Sequence, residues 1–222
     1  LRVMQRVPFL LLAAGVCFAP ASAFAHPHVW IDMRSSVNFD AGGSVDALGV
    51  SWTFDEFYTQ FATDGIDKNK NGKFDANELQ DLANTYAKNL KEYRYFMFVE
   101  TDGKLIDTGA PTNAKASVDK GQLTFAFRLP LTKAVDPAAI KLSYSSFDPT
   151  YYIDIAPVAT NSVVFTGAAP KACSFALRKV DTTKPGALSI SQSVKMTAPV
   201  NDVLNATSAA VVDITCPSVK AK

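Results

Sequence analysis

Beyond about residue 26 the chain alternates apolar and polar positions in short runs, and only one interval carries a helical period. Val29 to Phe39 alternates, Ala41-Gly42-Gly43-Ser44 has turn composition, and Val45 to Trp52 alternates again, which predicts a hairpin. Thr53-Phe54-Asp55-Glu56 has the form of a capping box with Thr53 as N-cap. It predicts a short helix to about Thr63 with an aromatic face of Phe54, Phe57, Tyr58 and Phe61. A second helix is expected over 76–93, where Leu79, Leu82, Ala83, Tyr86 and Leu90 share one face.

From Arg94 onward the pattern returns to strands. Arg94 to Thr101, Gly121 to Pro130, Ile140 to Phe147, Tyr151 to Ile155, Ser162 to Thr166, Cys173 to Val180 and Val211 to Cys216 all read as strands. Asp102-Gly103 is a two-residue hairpin turn, and 201–209 has the composition of a short helix. The expected class is α+β: a mainly antiparallel β framework with an inserted helix, loop and helix. The expected organisation is one domain over 26–222, with a weak internal boundary at 157–161.

The loop between the two helices carries the sharpest local motif. In Asp67-Lys68-Asn69-Lys70-Asn71-Gly72-Lys73-Phe74-Asp75-Ala76-Asn77-Glu78, oxygen side chains fall at positions 1, 3, 5, 9 and 12. Gly72 takes position 6, and Lys73 at position 7 supplies a backbone carbonyl, which is the EF-hand pattern. Alternate oxygens turn inward around a hard cation, and the last glutamate can bind it bidentately. Asn69 and Asn71 are neutral amides and three lysines add positive charge, so calcium affinity is expected nearer the roughly 10⁻⁴ to 10⁻³ M of extracellular modules. The same residues have a plainer reading: Asp75 to Glu78 is a capping box that opens the second helix.

The N-terminal segment does not belong to this framework. Arg2 and Arg6 precede an apolar run of 13 residues, Val7 to Ala19, and Ala23-Phe24-Ala25 has the small-x-small form of a cleavage site. Residues 1–25 therefore read as a secretory signal peptide, the run being short of the roughly 20 residues that span a bilayer. No later stretch is apolar enough to insert, so a periplasmic protein without stable membrane insertion is expected. Cleavage leaves 20 basic against 21 acidic residues and no lysine or arginine run, which argues against nucleic acid as a partner. It also removes Cys17 and leaves Cys173 and Cys216, an even pair in an oxidising compartment, for which a disulfide is the simplest reading.

Cleavage after Ala25 also places both of the chain's histidines, His26 and His28, at the first and third positions of the exported protein. In an extended segment His26, His28, Trp30 and Asp32 project to one side. Two imidazoles and a carboxylate suit zinc, nickel or copper. Pro27 lacks an amide proton, so the square-planar amino-terminal copper and nickel site cannot form in its usual way. Ligands must come from elsewhere, and Asp32, Asp55, Glu56 and Asp148 are the candidates, with Asp32 and Asp148 carried forward. Helix N-terminal charge accounts equally for Asp55 and Glu56, and turn initiation before proline for Asp148.

The order HPHVWID, SWTFDEFYTQF, DKNKNGKFDANEL, NLKEYRYF and FDPTYYIDI, with a late cysteine pair, resembles a bacterial periplasmic family described as an uncharacterised ABC-type transport component. The resemblance covers essentially all of 26–222. Members accompany inner-membrane permeases of the NicO nickel/cobalt type and include the periplasmic partner of the Zev-type zinc uptake system. It implies an accessory, non-enzymatic role in zinc or nickel/cobalt import, with His26 and His28 as the matching residues and a NicO-type permease as partner. Two other classes compete with it: a calcium-stabilised binding module without a transition-metal role, and a copper enzyme built on an N-terminal histidine. Hydrolytic chemistry has little support, because no histidine outside 26–28 can act as a base.

Overall fold

The computed structural model describes residues 28–150, 152–179 and 209–217. The expected signal peptide, His26, and the expected helix at 201–209 apart from its last residue lie outside them. Among the described residues no helix is long and apolar enough to cross a membrane.

The alternating segments form two sheets. β1 (Val29–Phe39) and β2 (Val45–Phe54) make the expected hairpin, with Ile31 opposite Phe54. β5 (Thr112–Asp119) and β6 (Gln122–Val135) continue that sheet beside β2. On the other side β8 (Ile153–Pro157) and β9 (Val163–Gly167) both pair with β1, one after the other along its length. These two pairings are parallel and the others are antiparallel, so the first sheet is mixed within a mainly antiparallel framework. The second sheet has the order β10 (Ser174–Lys179), β11 (Ala210–Thr215), β7 (Leu142–Ser146), β3 (Met97–Thr101), β4 (Lys104–Ile106).

One apolar cluster draws on both sheets, with Ile31, Trp52, Phe125 and Leu129 from the first and Met97, Val99, Tyr144 and Ile214 from the second. A hydrogen bond of 2.7 Å between Ser35 Oγ and the Tyr144 hydroxyl crosses this core, and Ser35 Oγ also lies 3.3 Å from the Ser162 carbonyl. Burial pushes the Tyr144 phenol well above its usual range, so it stays protonated. At one end of the second sheet Cys173 and Cys216 form the expected disulfide. They flank the paired residues Ser174 and Thr215, so the bond closes the β10–β11 ladder where it would otherwise fray. On the chain-entropy model a loop of this size contributes roughly 4 kcal/mol.

The helices depart from expectation in their ends. α1 (Glu56–Thr63) is capped by Asp55, whose side chain accepts from the Tyr58 amide. Thr53, the expected cap, remains in β2, because the strand runs two residues further than its pattern suggested. α2 (Ala76–Asn89) stops short of Tyr93 and passes into a 3-10 segment (Leu90–Phe96). Arg94, Tyr95 and Phe96 have φ of 54°, 55° and 51°, a left-handed run that side chains seldom adopt. Burial of Tyr95 and Phe96 offsets its cost, together with hydrogen bonds from Arg94 to the Ile106 carbonyl and the Asp107 carboxylate. The strand expected from Arg94 therefore begins only at Met97.

α1 turns only part of its expected aromatic face inward: Tyr58 stacks on buried Phe54 and packs with Ala62 against the core. Thr59 and Thr63 are its buried residues, whereas Phe57 and Phe61 are 79% and 75% exposed. Thr59 faces inward because its hydroxyl donates to the Asp55 carbonyl at 2.8 Å and accepts from the Leu123 amide at 3.0 Å. The bond from the Leu123 amide ties the helix to the start of β6.

Candidate functional site

The sequence points to the beginning of β1, and there the backbone is held from both sides. The His28 amide donates to the Tyr152 carbonyl at 2.9 Å. Two residues on, the Trp30 amide donates to Asp55 Oδ2 at 2.9 Å, and the Asp55 amide returns a bond to the Trp30 carbonyl at 3.0 Å. The His28 imidazole packs against the Tyr152 ring with centroids 4.9 Å apart. Inward residues Val29, Ile31 and Met33 are buried, so His28, Trp30 and Asp32 share the exposed face as expected.

Sharing a face does not bring the expected ligands together. Four residues of strand separate His28 from Asp32 by about 13 Å, too far for two side chains standing off one sheet to meet at one ion. Asp148 is only 1% exposed and its carboxylate is already engaged. It accepts from the Thr150 amide and hydroxyl at 2.8 Å, from the Tyr152 amide at 3.1 Å and from the Ile153 amide at 3.0 Å. Asp32 and Asp148 are therefore revised as companions of His28. Asp148 shapes the loop that presents Tyr152 to His28, an indirect role that its place in an Asp-Pro turn foreshadowed only in part. Asp55 is occupied in the same way, by the Trp30 and Tyr58 amides.

A carboxylate that sequence reasoning passed over stands closer to the corner. The parallel register sets Asp154 opposite Trp30 and places Ile153 opposite Val29. Asp154 and Trp30 thus lie on the same outer face, with His28 and Tyr152 one step before them on that face. Nothing in the sequence announces a parallel partner more than 120 residues away. Among the described residues no group of three or more His, Cys, Asp or Glu side chains forms a metal-binding cluster.

The loop over 67–78 adopts a compact turn. Asp67 accepts from the Asn71 amide at 3.1 Å and the Gly72 amide at 2.9 Å, with Gly72 at φ 75°. Asn69 and Asn71 both donate side-chain amides to Asp75 Oδ2, and Asn71 Oδ1 accepts from the Lys73 amide. Glu78, 7% exposed, gives one oxygen to the Lys68 amide at 2.7 Å and the other to the Asp75 amide at 2.9 Å. The capping box at Asp75 is thus formed, and Lys68 is paired with Asp81. The chain turns at Gly72, and Glu78, the expected last calcium ligand, spends both oxygens on backbone amides.

A family pattern matches residues 11–216, nearly the whole chain. This chain belongs to DUF1007, a family of proteins of unknown function. Among curated relatives, the DUF1007 chain is similar to an uncharacterized 15.5 kDa protein in the trpE 3′ region of Spirochaeta aurantia, 38% identical over 89 residues. That match covers 40% of this chain and 63% of the spirochaete protein. An uncharacterized protein of Haemophilus influenzae is 25% identical over 159 residues, 71% of this chain and 73% of its own length.

Proposed function

We propose that this protein is a non-enzymatic, periplasmic metal-binding accessory that takes a divalent transition ion, zinc or nickel, at His26 and His28 and passes it to an inner-membrane permease of the NicO type. The observation that supports it most is the clamped start of β1. A histidine at a chain end would ordinarily fray. Here the backbone on either side of Val29 is fixed by Tyr152 and Asp55, so the His28 ring is presented at a defined corner. Asp154 replaces Asp32 and Asp148 as the carboxylate of the ligand set, with His26 supplying the second imidazole. Exposure of the site suits transfer, since a carrier must release its ion to a partner.

The test is growth of a strain lacking the gene in zinc- or nickel-depleted medium, complemented with wild type or with His26→Ala/His28→Ala. Rescue by wild type alone supports the reading, and equal rescue by both contradicts it.

The loop favours a second, compatible role for calcium. Gly72 takes the turn at position 6 and Asp67 and Glu78 stand at positions 1 and 12, where each would exchange two amide hydrogen bonds for the ion. A calcium-dependent rise in melting temperature that disappears in Glu78→Gln would support it.

A further inference from the structure

The outer face of the first sheet carries a second candidate site, remote from His28 and independent of the metal reading. The ladder aligns Arg34 of β1, Ser51 of β2, Ala126 of β6 and Lys115 of β5 in one row across four strands. The next row holds Ser36, Gly49 and Arg128. The middle positions are therefore Gly49, Ser51 and Ala126, all small, while long cationic side chains stand at the margins. The result is a trough of about 320 Å³ bounded by Arg34, Ser36, Asn113, Lys115 and Arg128.

Two features indicate that the trough is built rather than incidental. Gly49 is in the interior of a central strand, where glycine has an entropic cost and offers no packing. A Cβ there would collide with the Ser36 hydroxyl, which occupies that space. Asn113 sits in a bulge of β5 at φ 54°, and the register between Thr112 and Lys115 is shifted there. Bulges re-aim side chains at sheet edges and sites. Here the bulge places Asn113 and Lys115 together on the trough wall.

The charge is unbalanced. Arg128 is paired with Asp46 at 2.8 Å, and Asp46 also accepts from Asn38. Arg34 and Lys115 have no ion-pair partner among the described residues. Their backbones are three strand spacings apart, about 14 Å. Both side chains can lean inward over the small residues Ser51 and Ala126, and the space of about 320 Å³ between them is larger than one compact oxyanion needs. It suits two carboxylates separated by a few carbons. The volume lies at the small end of ligand pockets, roughly 300–1,000 Å³.

We infer that this trough binds a small aliphatic di- or tricarboxylate, with Arg34 and Lys115 each holding one carboxylate and the hydroxyls of Ser36 and Ser51 and the Asn113 amide contributing hydrogen bonds. Arginine presents a planar fork matched to a carboxylate, and lysine a mobile point charge.

The test is calorimetric titration with succinate and citrate in metal-free buffer, using residues 26–222 carrying His26→Ala/His28→Ala so that chelation at the N-terminus cannot contribute. Inorganic phosphate serves as the compact anion. The expected result is saturable binding of succinate or citrate, weaker at high salt. Arg34→Gln/Lys115→Gln should weaken it about tenfold or more with the melting temperature unchanged. Ser36→Ala, which leaves both charges, should weaken it less. The proposal is overturned if neither polycarboxylate binds, if the Arg34/Lys115 variant binds as tightly as its parent, or if phosphate binds as well as succinate.

Discussion

The imidazole of His28 and the ring of Tyr152 lie against each other at 4.9 Å, tilted by 42°, where the parallel strands β1 and β8 begin. Neither residue reaches this position by its own preference. The Tyr152 carbonyl receives the His28 amide, while the Tyr152 amide is held by the buried carboxylate of Asp148. The candidate metal corner is thus held by Asp148 and Tyr152, more than 100 residues away in the sequence.

Asp148 is accordingly the residue whose loss should disturb both fold and site. Asp148→Ala removes the acceptor for three loop amides and the Thr150 hydroxyl, in a place closed to water. Hydrogen bonds to a charged group are worth more than neutral ones, and unmet buried donors add their own penalty. We expect a loss of roughly 2–4 kcal/mol in urea unfolding. Asp148→Asn should lose less, because one oxygen is kept. A variant as stable as wild type would show that the loop is held by something else.

The orientation of α1 makes an equally specific prediction. Thr59→Val keeps the shape of the side chain and deletes the hydroxyl that accepts from the Leu123 amide. It should cost about 1–3 kcal/mol, the usual penalty for an orphaned buried donor. Phe57→Ser and Phe61→Ser, though they remove large apolar side chains, should each change stability by no more than about 0.5 kcal/mol. Thermal and denaturant unfolding of the three variants decides it, and the reverse order would contradict the orientation of α1.

Much of this was legible in advance, and the reasons are local. The β1–β2 hairpin needs only alternation and the glycine turn. The Asp102-Gly103 turn, with φ of 49° and 74° between the paired residues Thr101 and Lys104, follows from turn chemistry. The disulfide follows from counting cysteines. β5 was missed because its inward residues are Ala114, Ala116 and Val118, too small to raise the apolar signal. Its Lys120-Gly121 turn also lacks the asparagine or aspartate that marks such hairpins. The site was legible only at His28. Asp32 and Asp148 were chosen by residue type, whereas strand rise excludes the first and four loop donors occupy the second. Asp154 enters through a parallel pairing that no local pattern encodes.

Glu100 gives a pH signature. Burial is the largest influence and raises its carboxyl above the usual range, with Asp213 adding to the effect and Arg178 and Lys141 opposing it. A raised native value means that the folded protein holds this proton more tightly than the unfolded chain. Below about pH 4 both states are protonated and no penalty exists. As pH rises through the raised value, the folded state loses stability relative to the unfolded one. Glu100→Gln should therefore be more stable than wild type at pH 7, with the difference shrinking toward pH 4. A difference of the same size at both pH values would show that the carboxylate is not under strain from burial.

The central claim is that His26 and His28 carry a transition-metal ion. The most direct measurement is native mass spectrometry of residues 26–222 with zinc, nickel, copper and calcium supplied in turn, comparing wild type with His26→Ala/His28→Ala. Irving–Williams order favours copper in the tube, so loss of binding in the variant is the informative quantity, and the rank of the metals is not. The account predicts one zinc or nickel ion bound by wild type and none by the variant, with any calcium uptake unchanged. Equal transition-metal binding by both proteins, or calcium as the sole ion taken by wild type, would contradict it.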